Sequence, residues 1–138
     1  MHKLKRSECA VLPLVLKGEW YDMIASASKR EEYRDASAYW ERRIPAWWDS
    51  WGRRDARPRV VEFRHGYARD ARRMAFVVYD VEERKWALHP HWGEPESQWH
   101  FVLHLGRRVE LGESPPDRIL PSLGKSSEKL PNIGRKDS

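Results

Sequence analysis

Apolar positions along this chain change period early. Residues 11–16 form a nearly continuous apolar run, as in a buried strand, and Pro13 marks it as an edge strand or an entry bend because proline cannot donate to a ladder. Over residues 18–27 the period becomes helical, with Trp20, Met23, Ile24 and Ala27 at i, i+3, i+4 and i+7. Ser26 and Ser28 close that helix, and residues 31–35 alternate as a short strand. Residues 36–44 read as a second short helix stopped by Pro45. An irregular Trp- and Arg-rich connection follows over 47–58. Strands are then expected at 60–65 and 73–81, forming a hairpin across GYARDA, with another short one at 85–88. A loop with two prolines and a glycine covers 89–98, and the last strong strand spans 99–111, with Gly106 as a bulge position.

Five or so short strands with one or two early helices predict an α+β, mostly β fold: a small, mostly antiparallel open β-barrel with one or two N-terminal helices packed on it. The strands are joined by non-helical connections, which argues against a parallel βαβ sheet. The chain has 138 residues, so one domain is expected, and that length buries a core without staples. We divide it into a flexible N-terminal arm at 1–10, a domain at 11–112 with a Trp/Arg-rich insertion at 44–59, and a disordered tail at 113–138. The tail carries four Pro, five Ser and nearly balanced charge.

Composition narrows the functional classes. A single cysteine, Cys9, excludes an intrachain disulfide framework and a Cys-based zinc cluster, and it fits a reducing cytoplasm. No apolar run approaches the roughly 18 residues of a membrane helix, and Lys17 and Glu19 interrupt the N-terminal pattern before it resembles a signal peptide. No membrane partner, metal or cofactor is expected. The net charge of +5 is concentrated: residues 41–73 hold ten Arg against five acids and no Lys, an excess equal to that of the whole chain. Clustered Arg is the footprint of a polyanion binder, although an Arg-rich solvated surface has the same composition. The eight Trp exceed what one small core absorbs. Trp47, Trp48 and Trp51 either line a groove as stacking platforms or wedge the connection onto the domain.

The densest chemistry lies just after the first helix. On a strand, Glu32 and Arg34 project to one face and Glu31, Tyr33 and Asp35 to the other, with Lys29 in the preceding turn. If the Glu32/Arg34 face looks into the barrel, the three groups converge at its mouth. There the carboxylate stays ionised and a desolvated lysine can act as base or nucleophile. The same trio equally suits a ligand pocket without chemistry, or a buried ion-pair network pinning helix to strand.

The run Lys29-Arg30-Glu31-Glu32-Tyr33-Arg34, the following Tyr39-Trp40 with Arg43, and Phe63-Arg64-His65-Gly66-Tyr67 resemble the ASCH family of the PUA-like superfamily. The resemblance covers about residues 11–111 and is specific in the first half. It implies an open PUA-like barrel with a Lys/Glu/Arg cleft that binds RNA or a modified nucleoside. One branch similar in fold is an N4-acetylcytidine amidohydrolase, in which a Lys, a Thr three residues on and a distant Glu are used. Lys29 matches the Lys and Glu32 replaces the Thr, while Glu82, Glu83, Glu94 and Glu96 are candidates for the distant carboxylate. The chain also has Ser28 where a glycine-containing turn is usual.

The expected function is therefore an RNA or single-stranded nucleic-acid binding domain. Tyr39 and Trp40 stack a base, Arg42, Arg43, Arg64, Arg72 and Arg73 hold phosphates, and Lys29, Glu32 and Arg34 read the base edge or a modified nucleoside. The alternatives are a metal-independent hydrolase acting on RNA or a modified nucleoside, with Lys29, Glu32 and Arg34 catalytic, and a protein-interaction accessory domain using the Trp-rich segment. His89-Pro90-His91 lacks a third metal ligand. His100 and His104 share a strand face but stand roughly 13 Å apart, too far for one metal ion.

Overall fold

The computed structural model describes residues 1–49 and 56–112. Eight regular elements follow in chain order: β1 (His2–Leu4), β2 (Ala10–Leu16), α1 (Gly18–Ala25), β3 (Glu31–Asp35), α2 (Ala38–Asp49), β4 (Arg59–His65), β5 (Arg73–Trp86) and β6 (Ser97–Leu111). The fold is a mostly-β α+β arrangement with six strands in one sheet and two helices among the described residues. The strand order is β1-β6-β5-β4-β2, and β3 pairs with β6 off that path. Residues 100–104 of β6 carry β3, and residues 109–111 carry β1.

Alternation along the strands builds the core. Leu12, Leu14 and Leu16 of β2, Val61 and Phe63 of β4, Phe76 and Val78 of β5, and Phe101, Leu103 and Leu105 of β6 point to one face. Tyr21 and Ile24 of α1, with Ile44 and Trp47 of α2, cover that face. The buried stripe of α1 is centred on Tyr21 and Ile24; Trp20 and Met23 are half-buried and Ala27 is exposed. On the opposite face Cys9, Val60, Ala75 and Val109 form a second, smaller cluster.

That second cluster explains the first correction. Residues 1–10, expected as a loose arm, contain β1, paired in parallel with β6, a 3-10 turn at Arg6–Glu8 and the start of β2. Leu4 packs against the smaller cluster, and Arg6 Nη2 donates to Glu62 at 2.7 Å. The basic residues that give this segment the look of an arm lie outside these contacts or in that ion pair.

The second correction concerns Pro45, which α2 passes through instead of stopping. The ring removes one backbone donor, but ending the helix there would withdraw Trp47 from the core. Trp47 is buried, and its Nε1 donates to the Ala10 carbonyl at 2.8 Å. Packing of Ile44 and Trp47 outweighs a proline penalty of roughly 3 kcal/mol. The insertion expected at 44–59 is therefore helix up to Asp49 and strand from Arg59, and its residues 50–55 lie outside the described residues, as does the tail at 113–138.

Two further differences arise from pairing. The strand expected at 85–88 is the end of one long β5 that reaches Trp86, because β6 pairs with it that far. β2 and β4 pair in parallel, with α1, β3 and α2 in the crossover between them. β2 ends the strand order, as Pro13 requires, and a register shift between β5 and β6 falls at Gly106 as expected. A Cβ on Gly106 would lie 3.1 Å from the Val77 carbonyl oxygen. The sheet is not closed. Between β2 and β3 the Arg34 guanidinium reaches the Val15 carbonyl at 3.0 Å.

Candidate functional site

Lys29, Glu32 and Arg34 do come together, and the corner that places them is local. Helix α1 ends where Ala27 takes a left-handed φ of 68°, and the N–H groups of Ser28 and Lys29 both return to the Met23 carbonyl. Ser26 and Ser28 hydroxyls donate to the same oxygen, which lets a non-glycine residue hold this turn. The chain then enters β3, where Glu32 lies opposite Leu103 and Arg34 opposite Phe101, both on the core face.

The resulting arrangement is enclosed. Lys29 is 2% exposed and Glu32 6%. The Lys29 ammonium donates to the Glu31 carbonyl and to Glu32 Oε1, the latter at 3.3 Å, and faces the Tyr33 ring at 4.4 Å. Glu32 Oε2 accepts from Arg34 Nη2 at 3.0 Å and Nε at 3.2 Å. Burial lowers the Lys29 pKa, and the Glu32 charge opposes that shift. Chemically, the trio is a relay of alternating charge, Lys29–Glu32–Arg34, joining the α1 corner to β3 and, through Val15, to β2. The convergence at an open mouth does not occur, because the ammonium is turned inward by the Glu31 carbonyl and covered by Trp20 and Tyr33.

From Arg34 the contacts continue outward. Its guanidinium lies 5.3 Å from the Trp40 ring, Trp40 meets Tyr39 edge-on at 4.7 Å, and the Arg43 guanidinium covers Tyr39 at 3.7 Å. Tyr39 is 47% exposed and Trp40 half-buried, so the pair joins core to surface. Next to it, Arg42, Arg43 and Arg57 border an open groove of about 480 Å³ with Ala46, Trp47 and residues Cys9, Ala10 and Val11. Among the described residues no acidic one lines it. Cys9 is buried there, and desolvation pushes its thiol pKa up, away from nucleophilic use.

The other expected phosphate-holding arginines lie elsewhere, so the Arg run does not form one track. Arg64 turns into the β4–β5 connection, donating to the Ala68 carbonyl at 2.6 Å, and its Nε is buried. Arg72 covers Tyr21 and reaches Asp22 at 3.5 Å. Arg73 borders a groove of about 490 Å³ with Arg6, Arg108, Glu62 and Glu110, a mixed-charge surface. Trp47 is buried and Trp48 packs beside it, so the wedge reading holds for these two; Trp51 lies outside the described residues. Among the described residues the well-exposed indoles are Trp86 at 66% and Trp99 at 54%, near the end of the β5–β6 hairpin. The sequence reading did not single them out, and only pairing at the strand ends reveals their exposure.

The outer face of the same strands carries a network that the sequence reading missed. Arg84 donates from Nε to Glu94 at 2.8 Å, from Nη2 to Glu31 at 2.8 Å and from Nη1 to Glu82 at 3.3 Å. Glu94 also accepts from His100 Nε2 at 2.6 Å and from the N–H groups of Leu88 and His89, each at 2.9 Å. Burial would raise the Glu94 pKa, but these donors hold it down at about 2. Burial likewise disfavours the Arg84 charge, and Glu94 and Glu31 more than offset it. Tyr33 donates to Glu31 at 2.9 Å, and burial beside that carboxylate raises its pKa. His104 Nε2 meets Glu82 at 2.6 Å and its Nδ1 meets Glu31 at 3.3 Å, while His100 Nδ1 meets the Gln98 carbonyl at 2.6 Å. Both nitrogens of each ring thus lie within hydrogen-bond or ion-pair distance of an oxygen. His100 and His104, too far apart for one metal, are joined through Glu94, Arg84 and Glu31.

The register also sorts the four candidate distant glutamates. Glu82 and Glu94 belong to this outer network, and Glu96 is exposed. Glu83 lies opposite Phe101, in the same cross-strand row as Arg34 and on the core face. It is two strand spacings from Arg34, roughly 10 Å, and its side chain is exposed. Among the described residues no group of three or more His, Cys, Asp or Glu could hold a metal ion, and no helix is long and apolar enough to cross a membrane. Compared with protein families, curated proteins and solved structures, the chain matches none.

Proposed function

We propose that this chain is an ASCH-like, PUA-like module that binds single-stranded nucleic acid, RNA in a reducing cytoplasm, along the outer side of α2. The observation that carries the reading is the groove edged by Arg42, Arg43 and Arg57 over Trp47, with no acid among the described residues of its lining. Guanidinium forks suit phosphodiester oxygens, and the exposed Tyr39 face, braced by Arg43, suits an unstacked base or modified nucleoside. In this reading the buried Lys29–Glu32–Arg34 relay is support. It fixes Arg34 beneath Trp40 and thereby fixes the angle at which Tyr39 is presented.

The test is fluorescence anisotropy of a labelled single-stranded RNA across a salt series, with the RNA then run on a denaturing gel. Log affinity should fall with log salt, each phosphate contact adding about 0.7 to the slope. The Arg42→Ala/Arg43→Ala protein should lose about two such increments. Intact RNA supports the binding module. Fragmentation that disappears in Lys29→Met protein would instead make the chain a hydrolase, consistent with the lowered Lys29 pKa. No binding at low salt would refute the nucleic-acid reading.

A further inference from the structure

A second cavity lies on the other side of Lys29, between the C-terminal end of α1 and the middle of the β5–β6 pair. It measures about 220 Å³. Its walls are Ile24, Phe76 and Leu105, which are buried core side chains, and the Lys29 side chain. The exposed Arg30 and Arg108 also line it, and among the described residues no acidic one does. The Lys29 ammonium is engaged with Glu31 and Glu32, so the charge available at this opening is that of the two guanidinium groups.

Size and polarity together define what fits. An apolar cavity of about 150 Å³ admits a benzene ring. The larger space here holds one ring and a single small substituent. With the arginines and the lysine as its charged lining residues, that substituent is an anion, for which a guanidinium fork is matched to carboxylate or phosphate. A small-molecule site of this type is mostly apolar, with a few convergent polar groups that set orientation.

The geometry points to a binding site for a small monocyclic aromatic anion, an aryl carboxylate or aryl phosphate, with the ring against Ile24, Phe76 and Leu105 and the anion at Arg30 and Arg108. This site does not depend on the groove beside α2, and its occupant is a free small molecule. Binding there would press on the Lys29 corner from the side opposite Glu32.

The experiment is a titration of the full chain, methyl-labelled at Ile and Leu, with benzoate and with phenyl phosphate, and with benzyl alcohol as the uncharged control. Ile24 and Leu105 methyl signals should shift with half-saturation at about 1 mM, the level expected of a ligand of about nine heavy atoms. Benzyl alcohol should bind at least about tenfold more weakly. The Arg30→Ala/Arg108→Ala protein should bind the anions about tenfold more weakly without changing the response to benzyl alcohol. Ala25→Trp, a change at an exposed lining position, should abolish all shifts. If that variant fails to fold, the arginine pair still decides. Unmoved Ile24 and Leu105 signals at 10 mM benzoate, about ten times the expected half-saturation, would overturn the proposal. So would equal affinity for benzyl alcohol, or anion affinity unchanged by loss of both arginines.

Discussion

Glu94→Gln tests whether the outer network holds the β5–β6 hairpin and its connecting turn. The Glu94 side chain is fully enclosed and accepts from Arg84, His100, Leu88 and His89. Glutamine keeps an oxygen for the two backbone donors but removes the charge facing Arg84 and His100. The native carboxyl titrates at about 2, against 4.5 for a free glutamate side chain. A difference of roughly 2.5 units corresponds to about 3 kcal/mol of native-state stabilisation. The sign follows from the depressed pKa. The contribution is complete above pH 4.5 and declines as the pH falls toward 2, so roughly 2 kcal/mol of it is gone by pH 3. Urea denaturation of both proteins at pH 7, 5, 4 and 3 measures this directly. Glu94→Gln should be about 3 kcal/mol less stable at pH 7 and only about 1 kcal/mol less stable at pH 3. Amide exchange at Leu88 and His89 reports whether the turn loosens locally. A gap below about 1 kcal/mol at neutral pH, or one of constant size from pH 7 to pH 3, would refute the reasoning, because either would mean that the charge is not what the donors stabilise.

Substitutions at three other positions probe the scaffold. Ala27→Gly should raise stability by about 0.5–1 kcal/mol in thermal or urea unfolding, because the φ of 68° costs alanine more than it costs glycine. Gly93→Ala should lower stability by about 2 kcal/mol, since a Cβ there would lie 2.9 Å from Trp20 at a φ of 88°; a loss of only about 1 kcal/mol would show that Trp20 moves aside and leaves the backbone strain, and a neutral result would refute the reasoning. Trp47→Ala should cost about 3–5 kcal/mol and Trp47→Phe about 1–2 kcal/mol, the smaller figure reflecting loss of the bond to the Ala10 carbonyl. Denaturation midpoints of the two proteins separate burial from that bond.

Much of the fold was legible because it depends on local period. The run at β2, the helical spacing of α1, the alternation of β3 and the bulge at Gly106 are all written within a few neighbouring residues. The grouping of Lys29, Glu32 and Arg34 was legible for the same reason, since a turn and two alternate strand positions bring them together. Their burial was not, because it depends on Trp20 and Tyr33 covering the ammonium and on Leu103 and Phe101 lying opposite the strand.

Local signals misled where distant packing opposed them. Pro45 is a helix breaker by its own chemistry, yet α2 continues because Trp47 gains a core site and a bond to β2. The N-terminal residues resemble a solvated arm, yet β6 offers them a free edge and Glu62 a counter-charge. The ten arginines form one block along the chain, but the elements that carry them divide the described ones among the groove at α2, the β4–β5 connection and the mixed-charge groove at Arg73. Composition by itself determined the excess of positive charge and the single thiol, and the order of apolar positions determined the alternation of strand and helix. Tertiary structure decided which side of β3 is interior, which arginines share a groove, and that Glu31, Arg84, Glu94, His100 and His104 form one network. The physical reason is that side-chain period acts over a few residues, whereas burial and ion pairing depend on strand register set by partners more than 50 positions away, as in the pairing of Glu31 with Arg84.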